Sequence, residues 1–169
     1  MKSSDFRRVM KTTSSGWVFF MGVDLMPRND HSDHLKFQDV VTVFLSHRGK
    51  VLFLRRSSRV STYRDHWAGV SGYLESEDPL DQAYTELAEE VGLSKEDVSL
   101  SKVGKPLEVF DEELDRGWRV HPFLFTVGEP DKIRLDWENV EMRWLDPNEL
   151  TGLRTVPALA EALQRVMEP

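Results

Sequence analysis

The hydrophobic pattern of the chain changes period several times, and each change marks an element. Residues 1–15 are polar, rich in Ser, Thr, Lys and Arg, and read as a loose arm or a short helix. Residues 16–26 read as a strand, and 27–36, with Pro27, Asn29, Asp30 and Asp33, as a linker. A hairpin follows, in which the apolar runs Val40–Leu45 and Val51–Leu54 flank a turn at His47-Arg48-Gly49-Lys50. Residues 55–78 contain Gly69 and Gly72 and read as a long loop with short extended pieces, a length that usually serves function. Asp78-Pro79 then offers an N-cap and a proline at the first helical position. Leu80, Ala83, Tyr84, Leu87 and Val91 recur at helical spacing, and Gly92 supplies the stop. Strands are expected near 98–103, 106–110, 118–127 and 140–145, and a second helix from Pro157 through Leu159, Leu163 and Val166. There is no internal repeat and no low-complexity tract. The pattern predicts one mixed sheet with helices packed on it, of α/β or α+β type.

Composition narrows this picture. At 169 residues the chain suits a single core, and 40% apolar with 30% charged residues is a globular balance. The net charge of −7 argues against non-specific nucleic-acid binding, which needs a basic face for phosphates. With no cysteine, disulfides, thiolate metal sites and thiol nucleophiles are excluded, and a cytoplasmic setting is expected. The apolar stretch Trp17–Met21 ends at Gly22, far short of the ~20 residues a membrane span needs. No small-residue cleavage site follows it, so a strand is the better reading than a leader or an anchor.

The helix over 79–91 carries the candidate chemistry. Glu86, Glu89 and Glu90 stand at i, i+3 and i+4 and so share one face, away from the Leu80–Leu87–Val91 stripe. Like charges at this spacing cost roughly 0.2–0.5 kcal/mol per pair, a cost that a divalent cation reverses. Most acidic helix faces are simply solvated. Here, however, the preceding segment Trp67–Asp78 places Gly69, Ser71 and Gly72 where backbone approaches a ligand, and adds Glu75, Glu77 and Asp78.

The stretch Gly72–Leu93 resembles the Nudix box, a loop–helix–loop written G-x5-E-x7-R-E-U-x-E-E-x-G-U with U aliphatic. Glu86-Leu87-Ala88-Glu89-Glu90-Val91-Gly92-Leu93 matches its second half. Thr85 stands in place of the box arginine, the loop glutamate falls on Glu77 or Asp78, and the box is one residue shorter. In the family that arginine and loop carboxylate brace each other, so a different brace is expected here. The resemblance implies a Nudix-type alpha/beta/alpha sandwich over residues 37–169, with 1–36 as an N-terminal extension. It also implies a hydrolase in which Glu86, Glu89 and Glu90 bind Mg²⁺ or Mn²⁺. The reaction implied is water attack on the phosphoanhydride of a nucleoside-diphosphate-type small molecule. The candidate bases are Glu89, Glu90 or a later-loop glutamate, Glu138 first, with Glu112 and Glu113 behind it.

For substrate, Arg55 or Arg56 is expected to clamp phosphate, since strand alternation turns one of them to the ligand side, and Arg64 is a further candidate. Gly72 lets backbone come close, and one of Tyr63, Trp67 and Phe110 is expected to stack a base. His31 and His34, with Asp30 and Asp33, read as a solvated turn, and His121 as structural. A catalytically silent nucleotide-binding or sensing module is the alternative, although such modules typically lose the glutamates kept here. The isomerase branch of the superfamily relies on a cysteine that this chain lacks. A homodimer formed by pairing through residues 16–26 is a further expectation.

Overall fold

β1 (Phe37–His47) and β2 (Lys50–Arg56) form the expected hairpin, closed by Arg48 and Gly49 at φ 49° and 78°. Two successive positive-φ residues match the right-handed twist of the flanking strands. This is a computed structural model, and it describes residues 37–168. The strand expected at 16–26 and the turn holding His31 and His34 lie outside the described residues.

Within the 55–78 segment two short strands form, β3 (Trp67–Ala68) and β4 (Val70–Tyr73). Then come α1 (Pro79–Val91), β5 (Val98–Val103), β6 (Leu107–Asp111), β7 (Arg116–Val127), β8 (Asn139–Leu145) and α2 (Leu159–Met167). A 3-10 turn at Pro147–Gly152, absent from the hydrophobic pattern, precedes α2.

The sheet runs β3-β2-β1-β7-β5, with β4 added on β1, β6 on β7 and β8 on β2. β1 and β7 pair in parallel from Phe37↔Gly117 to Ser46↔Thr126, and every other pairing is antiparallel. β1 therefore changes partner along its length: Val40–Val43 pair with β4, whereas Ser46 and His47 pair with β2.

Strand alternation sends side chains to two separate cores. Val41, Val43, Leu45, Leu52 and Leu54 pack under Ala83, Leu87 and Val91 of α1. Phe44, Val51, Phe53 and Val120 pack under Leu159, Ala162, Leu163 and Val166 of α2. The result is a mixed sheet between helices, an alpha/beta/alpha sandwich. Among the described residues no helix is long and apolar enough to cross a membrane.

Candidate active site

α1 begins and ends as its sequence requires. The Asp78 carboxylate accepts the Leu80 N–H at 2.8 Å, Pro79 occupies the first helical position, and Gly92 turns into the left-handed region at φ 70°. Leu93 N–H then reaches Leu87 O at 3.1 Å, a closure that glycine favours.

The register Val41↔Gly72 turns Gly72 toward α1. A methyl group there would lie 1.9 Å from Glu86 Oε1, so glycine leaves the space that the carboxylate fills. Glu86 Oε1 also accepts Gln82 Nε2 at 2.8 Å, and Gln82 Oε1 accepts the N–H groups of Glu75 and Ser76, each at 3.1 Å. One turn further, Glu90 accepts Ser71 N–H at 2.8 Å and Asn139 Nδ2 at 2.7 Å, one on each oxygen. Glu86, Glu90, Gln82 and Asn139 are all buried.

Burying carboxylates without a counter-charge opposes their ionisation. Glu90 is pushed up to about 8 by burial, against the hydrogen bonds from Ser71 and Asn139 and with added repulsion from Glu86 and Glu138. Glu86 is also raised by burial, against the Gln82 hydrogen bond, while Glu89, Glu138 and Glu75 repel it. Glu138, immediately before β8, is raised by burial and by Asp136, with Arg56 pulling the other way.

These groups border one cleft of about 410 Å³. Glu75, Glu86, Glu89 and Glu138 line its acidic part, and Arg56 is the arginine that reaches it. Tyr63, Tyr73, Trp118, Val120 and Trp137 line the remainder. Tyr63 donates to Asp111 at 2.6 Å and accepts from Trp118 Nε1 at 3.1 Å, while burial first and the Asp111 bond second push its phenol up to about 12.

Thus Glu86, Glu89, Glu138, Arg56, Gly72 and Tyr63 come together, and Glu90 stands directly behind them, bonded to the cleft-lining Ser71. Other residues named from the sequence lie elsewhere. Arg55 points away into ion pairs with Glu141 at 2.9 Å and Asp65 at 3.6 Å. Trp67 is 6% exposed in the α2-side core, its ring face covered by Arg143 at 4.8 Å. Arg64 folds back onto Val60 O, and Glu112 and Glu113 occupy the exposed β6–β7 turn. Phe110 is 38% exposed outside the cleft. His121 bonds Asp39 at 2.7 Å, a structural pair joining β7 to β1.

Gln82, Asn139, Trp118 and Trp137 were not singled out by sequence reasoning. Gln82 carried one usable signal: it lies four residues before Glu86, on the same helix face.

The donor set is all oxygen, which suits a hard ion such as Mg²⁺ or Mn²⁺. Among the described residues no three acidic or histidine side chains already stand in ion-binding geometry.

The profile of the NUDIX domain family matches residues 36–166. No curated protein sequence matches the chain. Solved structures share its fold at low identity. A C. elegans Ap4A hydrolase in a binary complex is 18% identical with a TM-score of 0.61, over 76% of this chain and 93% of that one. The E. coli dihydroneopterin triphosphate pyrophosphohydrolase is 20% identical with a TM-score of 0.61, over 78% and 97%. The M. smegmatis Nudix hydrolase RenU is 21% identical with a TM-score of 0.60, over 78% and 83%. With the family profile covering the whole sheet and both helices, and the box glutamates gathered beside one cleft, this chain belongs to the NUDIX domain family.

Proposed function

We infer that this protein hydrolyses the phosphoanhydride of a nucleoside-diphosphate-type compound in a Mg²⁺- or Mn²⁺-dependent reaction. One observation carries this reading: buried Glu86 and Glu90, each held by dedicated donors, stand beside a cleft that also collects Glu89, Glu138 and Arg56. Buried carboxylates are costly unless a cation or a proton compensates them. A solvated acidic face has no need of the Gly72 gap or the Asn139 amide.

Glu86, Glu89 and Glu90 would hold the ion. When bound, it neutralises charge on the diphosphate and lowers the pKa of a water. The chain's own groups do the rest. Ser71 N–H and Asn139 Nδ2 fix the Glu90 carboxylate, and Gly72 admits that of Glu86. Arg56 offers the guanidinium that a phosphate oxygen requires. Glu138 is the preferred base, since it lines the cleft and burial raises its proton affinity, the direction general-base catalysis favours. Glu89 and Glu90 remain the alternatives for that step. The aromatic side of the cleft suits a planar base, and about 410 Å³ is within the usual size of a small-molecule site. The names of the Ap4A hydrolase and the dihydroneopterin triphosphate pyrophosphohydrolase describe substrates with such linkages.

The test is a Mg²⁺ and Mn²⁺ assay over nucleoside triphosphates, dinucleoside polyphosphates, ADP-ribose, nucleotide sugars and dihydroneopterin triphosphate. Wild type is expected to split the phosphoanhydride of at least one into its two phosphate-bearing products, and Glu89→Gln and Glu90→Gln to lose that cleavage. Equal turnover by all three proteins rejects the assigned face. Binding of a nucleotide without turnover moves the protein to the sensing class.

A further inference from the structure

The box position that the family fills with arginine holds Thr85, and Thr85 does not reach the loop. Its hydroxyl donates back to Asp81 O at 3.1 Å, within its own helix. The loop from Leu74 to Asp78 is nonetheless tied to α1, through Gln82.

We propose that Gln82 is the positioning residue that replaces the missing arginine, clamping the 74–78 loop and aiming the Glu86 carboxylate with a single side chain. The geometry permits one orientation of the amide. Both lone pairs of Oε1 are engaged by the N–H groups of Glu75 and Ser76 at 3.1 Å, so Nε2 faces Glu86 Oε1 at 2.8 Å. The reverse orientation would set an NH₂ against two N–H donors and a carbonyl against a carboxylate. Gln82 is only 5% exposed and has no freedom to let go into water.

Arginine in this role would bring a charge that needs a loop carboxylate to answer it. Glutamine accepts from loop backbone instead, which frees the loop from needing any particular acid. Accordingly Asp78 serves as the helix cap, while Glu75 and Glu77 are exposed. The shortened box and Thr85 are then one change: a neutral brace placed one turn earlier on the helix.

The loop half of the proposal is independent of the proposed function, whereas the consequence for ion binding rests on it, so the experiment reads them separately. In metal-free protein, amide hydrogen exchange at Glu75 and Ser76 is expected to be slow in wild type and fast in Gln82→Met. Gln82→Glu combined with Glu86→Gln, which keeps the acceptor toward the loop and returns an amide donor to the other end, should restore slow exchange. The Gln82 side-chain NH₂ should be protected in wild type and lose protection in Glu86→Ala while the two backbone amides keep theirs. Mn²⁺ titration, followed by the electron paramagnetic resonance of free ion, should show Gln82→Met binding about 10–100-fold more weakly than wild type, the usual effect of losing a ligand's hydrogen-bond partner. Unchanged exchange in Gln82→Met overturns the clamp. Unchanged Mn²⁺ affinity with fast exchange overturns the aiming of Glu86. Wild type that binds no Mn²⁺ overturns the metal reading and with it the effect on affinity, while exchange still decides the clamp.

Discussion

Each helix has a glycine packed against it, Gly72 of β4 beside α1 and Gly104 of the β5–β6 loop beside α2, yet the space each leaves is filled differently. At Gly104 an added methyl would meet Pro122 Cγ at 2.8 Å and Val166 Cγ1 at 2.9 Å, so the gap admits α2 itself. At Gly72 the three atoms nearest an added methyl all belong to the Glu86 carboxylate, with Oε1 at 1.9 Å. α2 buries Leu159, Ala162, Leu163 and Val166 and nothing polar. α1 buries Ala83, Leu87 and Val91 together with Gln82, Glu86 and Glu90. Buried polar side chains carried by one helix and by none of the other's buried positions locate chemistry on the first, because burial of such groups is a cost that packing alone does not recover.

Substitutions on the two sides should therefore separate activity from stability. The largest effect is expected at the cleft: Glu138→Gln lowers kcat by about 10²–10⁴-fold if it is the base, with little change in melting temperature. A loss below about 10-fold in steady-state turnover hands the base to Glu89 or Glu90. Across the sheet, Leu163→Ala should cost about 2–5 kcal/mol by urea denaturation and leave Mn²⁺ affinity intact.

The glycine pair sharpens the contrast at smaller scale. Gly104→Ala is expected to destabilise by about 1–3 kcal/mol through overpacking against α2. Gly72→Ala displaces the end of a flexible side chain, so its melting temperature should fall less, while Mn²⁺ affinity drops by about 10–100-fold in the same titration. A Gly72→Ala protein that binds the ion normally would erase the distinction between the two contacts.

The smallest effect concerns acid. Asp97, in the turn after α1, is held well below the usual carboxylate range by its hydrogen bond from Lys132 at 2.8 Å, then by Ser94. A carboxyl depressed in the folded state contributes stability at neutral pH that is lost as pH falls below the ordinary carboxylate range. Lys132→Met should therefore narrow the gap between urea midpoints measured at pH 7 and at about pH 3.

Much of this was legible along the chain because it is set by neighbours. Asp78, Pro79 and Gly92 fix the ends of α1 within a few residues, and the i, i+3, i+4 spacing fixes the shared face of Glu86, Glu89 and Glu90. The hairpin over β1 and β2 is as local, its turn residues and flanking apolar runs being contiguous. Alternation also said that only one of Arg55 and Arg56 could face the site. It did not say which, because a register shift between them and the positions of Glu141 and Asp65 decide that.

What folding alone decided are the contacts between distant segments. The parallel pairing of β1 with β7, some 80 residues apart, brings Trp118 and Val120 to the cleft. The β4–β1 register aims Gly72 at α1, and the start of β8 with the residue before it delivers Asn139 to Glu90 and Glu138 to the cleft. Periodicity reports which face a residue occupies on its own element and carries no term for the partner that element meets. Trp67, indistinguishable from a base-stacking aromatic in the sequence, became core because β3 lies beside β2 under Arg143. The sequence by itself thus determined the acidic face and its helix. The environment that turns Glu86 and Glu90 from solvated acids into held, buried ones came from backbone and amides supplied up to 49 residues away, through pairings that no local pattern encodes.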